Sequence, residues 1–192
     1  SSTYIGGLIG YSYYSNKSNY YPSITKCYNT GELRSNGNEY TYIGGIMGSF
    51  SSWRSDGYGY ASFTIMSCYN KGKIISTGES LRYVYSGGIV GGCSTSASSS
   101  SSTSTSSSFR TQIQNCYNEG LIQVTSTEGI YCGGITGRIS SSGMYSITNY
   151  SFSYVENCYN KGNINAFENI SNSIYPYIGG IAGNAEATTI TG

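Results

Sequence analysis

The sequence contains no histidine, one aspartate (Asp56) and only two prolines in 192 residues. Charged residues make up 10% of it, against about 25% in ordinary soluble proteins. Each scarcity excludes something. Without histidine the commonest general base is missing, and so is the commonest neutral metal ligand. The eight glutamates are scattered, which leaves no paired carboxylates for hydrolysis and a poor oxygen cage for Ca²⁺. The sequence therefore predicts no enzyme, no catalytic residue, no metal and no cofactor. Lys and Arg number ten, form no basic cluster, and leave a net charge of +1. A phosphate-binding face needs grouped cations, so no nucleic-acid partner is expected. No apolar run approaches the roughly 20 residues that span a bilayer, so no membrane insertion is expected. Helix formers are few, and no long stretch carries a 3.6-residue apolar period.

What is present in quantity is Gly (27) and Tyr (22), with many Ser, Thr and Asn. Short β-branched and aromatic runs broken by Gly, Asn and Ser read as all-β. Internal repetition decides the rest. One block, Tyr-x-Gly-Gly-[Ile/Leu]-x-Gly, occurs at Tyr4–Gly10, Tyr42–Gly48, Tyr85–Gly91, Tyr131–Gly137 and Tyr177–Gly183. A second, Cys-Tyr-Asn-x-Gly, occurs at Cys27–Gly31, Cys68–Gly72, Cys116–Gly120 and Cys158–Gly162. The two alternate strictly. An apolar residue lies three positions before each of these cysteines (Ile24, Ile65, Ile113, Val155) and another six after (Leu33, Ile74, Ile122, Ile164).

One unit has too few apolar side chains to bury a core alone. Laid on a copy of itself, every strand gains a hydrogen-bonding neighbour, and like residues lie about 4.8 Å apart. The expected fold is a right-handed parallel β-helix (β-solenoid) of about four to five coils, each of roughly 43 residues with long loops. One wide coil per repeat is preferred over two narrow ones, because each block stacks best on its own copy. Residues 1–192 read as a single repeat domain, a segment of a longer chain or fibre, with a Ser/Thr-rich surface loop over 94–108.

The alternating blocks resemble the GLUG-type repeats of secreted bacterial surface proteins. Gly7-Leu8-Ile9-Gly10 matches that family's Gly-Leu-x-Gly core. The resemblance implies a right-handed parallel β-helix in an adhesin-like or wall-displayed protein, with no catalysis in the repeats.

Stacking turns each repeat position into a ladder. Cys27, Cys68, Cys116 and Cys158 form one and Asn29, Asn70, Asn118 and Asn160 another. The cysteines read first as a buried file of small apolar side chains. Disulfides between neighbouring coils are the second reading, since ladder spacing falls within bridging range. Metal is disfavoured, because no Cys-x-x-Cys spacing occurs. Cys93 and Cys132 stand at different offsets and are not paired. The asparagines suit turns in which stacked amides bond one another.

Tyr28, Tyr69, Tyr117 and Tyr159 should face outward as an aromatic stripe. With Trp53 and Tyr58 they are the candidate contacts for glycans or a partner, a flat platform for sugar rings or a neighbouring fibre. The tyrosines that open the Gly-rich blocks share parity with the block's Ile and are expected to be at least partly buried. Asn16, Asn149 and Asn169 head Asn-x-Ser sequons in the variable gaps and are the candidate N-glycosylation sites.

The composite reading is an extracellular or cell-surface β-solenoid, a structural or adhesive building block of a filament, stalk or surface protein. Neither end carries a polar capping repeat, so its partner is the rest of a parent chain or copies of itself stacked end to end or side by side. The alternative is a carbohydrate-binding module that meets cell-surface glycans through Tyr-rich loops.

Overall fold

A computed structural model describes residues 1–15, 20–37, 39–54, 59–78, 81–97, 107–143, 149–168, 176–186 and 188–191. Each of the first four repeats contributes one short strand to each of five parallel sheets, and residues 177–191 add a fifth strand to three of them. Sheet 1 holds Ser2–Gly6, Tyr40–Gly44, Tyr83–Gly87, Gly129–Gly133 and Tyr177–Gly179. Sheet 2 holds Ile9–Ser15, Met47–Arg54, Val90–Ala97, Thr136–Gly143 and Ala182–Glu186. Sheet 3 holds Ser23–Thr25, Gly59–Met66, Ser107–Gln114, Asn149–Glu156 and Thr188–Thr191. Sheet 4 is four two-residue strands, the Tyr-Asn pairs of the Cys-Tyr-Asn blocks. Sheet 5 holds Leu33–Ser35, Ile74–Ser76, Ile122–Ser126 and Ile164–Glu168. Like residues pair with like: Tyr42 with Tyr4 and Tyr85, Ile65 with Ile24 and Ile113, Asn70 with Asn29 and Asn118. This is a parallel β-solenoid with one coil per repeat.

Two of the corners that separate the strands of a coil have a local cause. In the first, Gly44 and Gly45 end one strand before Met47 opens the next. A Cβ on Gly45 would lie 2.6 Å from Cβ of Asn70. Only glycine lets this corner reach the asparagine file across the interior. In the second, the residue before each ladder cysteine adopts a left-handed backbone, with φ of 54° at Lys26, 56° at Ser67, 52° at Asn115 and 50° at Asn157. Asparagine tolerates this region; lysine and serine pay for it in strain.

The interior divides in two around the asparagine file. Between sheets 2 and 3 lie Ile46, Phe50, Phe63, Ile65, Ile89 and Ile113 with their neighbours. The rings of Phe50 and Phe63 stack at 4.1 Å. Between sheets 1 and 5 lie Ile43, Ile74, Leu81, Val84, Ile122, Val124, Ile130 and Cys132. Fully burying an aliphatic side chain contributes about 1.5–3 kcal/mol, and the central coils gain it at every rung.

The Ser/Thr-rich segment departs from the loop expected over 94–108. Ser94–Ala97 continue a sheet 2 strand, and Ser107–Ser108 open a sheet 3 strand; residues 98–106 lie outside the described residues. Thr95 is buried and hydrogen-bonds to Ser141 at 3.1 Å and Ser151 at 2.9 Å. Hydroxyls that satisfy one another can enter an interior at little cost, so a stretch without apolar side chains still joins the stack.

Candidate functional site

The asparagine file is the most connected polar feature of the interior. The Nδ2 of Asn29 donates to Oδ1 of Asn70, Asn70 to Asn118, and Asn118 to Asn160, each at 2.8 Å. The second Nδ2 hydrogen of each goes to the carbonyl of the glycine two residues on, at 2.8–2.9 Å. The Oδ1 of Asn29, Asn118 and Asn160 also accepts the N–H of that glycine at 3.2 Å. Asn70 and Asn118 are wholly buried. Each amide thus closes its own turn, and those of Asn29, Asn70 and Asn118 also grip the next coil. All the grips point the same way along the axis.

The cysteines form a parallel file. Cys68 and Cys116 are fully buried, while Cys27 and Cys158 are half-buried in the outer coils. All six cysteines are free thiols. The backbone N–H of Cys27 donates to Sγ of Cys68 at 3.4 Å, and that of Cys68 to Sγ of Cys116 at 3.5 Å. Each ladder thiol donates to the carbonyl two residues before it. Hydrogen bonds with Cys158 and Cys68, together with burial, push the Cys116 thiol up from its ordinary value. Burial pushes Cys93 up to about 12, and burial, against a lowering hydrogen bond with Ser86, pushes Cys132 up to about 12. Cys93 lies in the first core and Cys132 in the second, which keeps them apart. Among the described residues no group of three Cys, Asp or Glu side chains could hold a metal ion.

Tyr28, Tyr69, Tyr117 and Tyr159 line the outer face. Their rings lie face to face, with centroids 5.2, 4.9 and 5.0 Å apart and planes within 7°. A ring covered on both faces by its neighbours presents only its edge. The row is therefore an edge-on stripe and not the flat platform expected. Tyr28 and Tyr159, at the two ends, have a stacked ring on one face only and are 59% and 43% exposed. Lys161 lies 5.1 Å from the Tyr159 ring centre, an ordinary cation–π contact. Trp53 stands exposed on the outer face of sheet 2. Asn149 begins a sheet 3 strand and pairs with Ser107, so this sequon is in the stack and not in a gap. Tyr58, Asn16 and Asn169 lie outside the described residues.

The tyrosines of the Gly-rich blocks build a feature that pattern reading missed. Tyr4, Tyr42, Tyr85, Tyr131 and Tyr177 stack at 4.5–5.1 Å. Tyr85 is buried and Tyr42 half-buried, as parity suggested, but not in either core. The core residues of these strands are their neighbours Ile43, Val84 and Ile130. The glycine corner resets the alternation, so Ile46 faces inward although Tyr42, four positions earlier, faces outward. The row lies instead against the outer face of sheet 2, where the two sheets meet at a reentrant angle. Gly92 makes room: a Cβ there would lie 3.0 Å from the Tyr42 ring. Burial and neighbouring tyrosines push the Tyr42 hydroxyl well above its ordinary range. A groove of about 270 Å³ opens along this angle. The signal available in the sequence was the Gly-Gly pair after each tyrosine, a place where parity can flip.

No curated protein and no solved structure is significantly similar to the chain. A family model described as the GLUG motif matches residues 1–34. That span contains one Gly-rich block and one Cys-Tyr-Asn block, which are the two halves of a coil, and the same blocks recur along the chain. The matched motif and the parallel stack together are consistent with a GLUG-type repeat protein.

Proposed function

We propose that this solenoid is a structural or adhesive building block of an extracellular filament, stalk or surface protein, and that it works by continuing its stack and not by catalysis. The single observation that carries the reading is the complementarity of its two end coils. At one end Asn29 has Oδ1 turned to where a preceding coil would place an amide donor. At the other, Asn160 has an Nδ2 hydrogen left over after bonding Gly162. Donor faces acceptor only if the next coil arrives in the same orientation. A head-to-tail contact of this kind does not close on itself and propagates as a filament.

The apolar rows support the same reading. Ile178 and Ile190 occupy interior rows, yet they are 48% and 46% exposed because no coil covers them. The strands that carry them, Tyr177–Gly179 and Thr188–Thr191, are open sheet edges, which readily pair with another chain. The covering coil belongs either to the remainder of a parent chain or to another copy. An extracellular location fits a motif found in secreted proteins.

Sedimentation and electron microscopy of residues 1–192 test this. Association into rods one coil-stack wide, increasing with concentration, is expected. Ile178→Asp with Ile190→Asp, which places charge on the open end, should abolish association and leave the circular dichroism of the monomer unchanged. A monodisperse monomer at every concentration would refute stacking of copies; a longer parent chain in which the rows of Ile178 and Ile190 are not covered by a further coil would refute the proposal as a whole.

A further inference from the structure

The groove beside the Gly-block tyrosines has a shape and lining that specify a ligand class. Tyr4, Tyr42 and Tyr85 form one wall; Ser51, Ser94 and Ser140 form the other. Arg138 closes one end. The lining residues come from four successive coils. The groove therefore runs parallel to the stacking axis for about 14 Å, three steps of roughly 4.8 Å. A volume of about 270 Å³ spread over that length is narrow. It suits a linear chain better than a compact molecule.

The chemistry narrows the class further. Ser51, Ser94 and Ser140 are register partners, so their hydroxyls repeat at the coil spacing. Each hydroxyl both donates and accepts. The opposite wall presents stacked ring edges, the positive side of the aromatic quadrupole, which favours ligand oxygen atoms. The one cation is already engaged, with Arg138 Nη2 3.4 Å from Glu186 Oε1 and its guanidinium 5.8 Å from the Tyr131 ring centre, and its Nε, buried without a partner, adds one more donor for a ligand oxygen. An extended peptide fits poorly. It would add to a sheet edge, whereas the groove crosses strands whose backbone groups are already bonded to the coils above and below.

From this we infer that the groove binds a linear, neutral polysaccharide lying along the stacking axis, one sugar unit against each coil or so. The site is separate from the end coils, so it does not depend on the assembly proposal.

Affinity electrophoresis of the folded chain tests it, with a cellulose-type glucan, a mannan, a xylan, a polyuronate and gelatin each cast in the gel. Retardation by at least one of the three neutral polymers is expected. Ser94→Trp, at an exposed position in the groove, should weaken it by about tenfold or more, a loss of about 1.4 kcal/mol. Tyr28→Ala, on the other tyrosine row, should leave it unchanged. Circular dichroism and sedimentation show whether Ser94→Trp still folds and associates; Ser51→Trp serves if it does not. No retardation by any neutral polymer overturns the inference. So does equal retardation of the groove variants, or stronger retardation by polyuronate or gelatin.

Discussion

The middle coils and the end coils carry the same sequence pattern but do not live in the same environment. Ile65 and Ile113 are wholly buried, and Ile190, on the same row, is nearly half exposed. Ile43 is wholly buried, and Ile178, also on one row with it, is not. Cys68 and Cys116 are sealed, while Cys27 and Cys158 are partly open. Identity of residue therefore sets what a position can do, and the presence of a coil on each side sets how much it contributes. In a stack where each coil contacts only its neighbours, stability is close to a sum of coil and interface contributions.

That contrast can be pressed at several points. The largest effect is expected from Ile113→Ala, which empties a sealed site and should cost about 2–5 kcal/mol. In the unassociated chain, at protein concentrations too low for stacking, Ile190→Ala should cost less than about 1 kcal/mol in urea denaturation, because its side chain is already half in water. Equal losses under those conditions would mean that the end row is covered even in the single chain. Next, Asn118→Ala takes one of two hydrogen bonds from the amide of Asn70 and from Oδ1 of Asn160, and removes the side-chain partner of both backbone groups of Gly120. A loss on the order of 3 kcal/mol is expected, against about 1 kcal/mol for Asn29→Ala, whose turn is open to water.

The third test uses pH. Cys93 and Cys132 titrate near 12 in the fold and near 8.5 when unfolded. Their protonated forms favour the native state, so this stability is intact below about pH 8.5 and is lost as pH rises toward 12. At pH 9.5 the loss is on the order of 1 kcal/mol for each thiol. Cys93→Ala with Cys132→Ala should flatten that alkaline decline. The smallest effect concerns the left-handed corners. Ser67→Gly removes strain and should gain about 0.5–1 kcal/mol. The same change at Asn157 should gain little, because asparagine already suits that conformation.

Much of this architecture was legible because repetition leaves so few choices. Blocks that recur at nearly fixed spacing must lie on their own copies if they stack at all, and this places Cys over Cys, Asn over Asn and Tyr over Tyr. The rest depended on corners. Nothing about Lys26 or Ser67 as residue types announces a left-handed backbone; it is imposed by their place before the ladder cysteine. The parity of Tyr42 could be counted, but the glycine pair between it and Ile46 cancelled the count. The edge-on rings of the Tyr28 row follow from the coil spacing itself, which brings each ring within reach of the next. The groove needs two sheets meeting at an angle, and no single strand's pattern encodes an angle.

The hydrogen-bonded amides have a consequence that extends beyond any one rung. Each carboxamide dipole lies in line with the next, and lined-up dipoles polarise one another. A rung with neighbours above and below is gripped harder than one at the tip. Every added turn of the spiral therefore tightens those already formed, so a tall column should resist being pulled apart at its waist better than a short one built from the same parts.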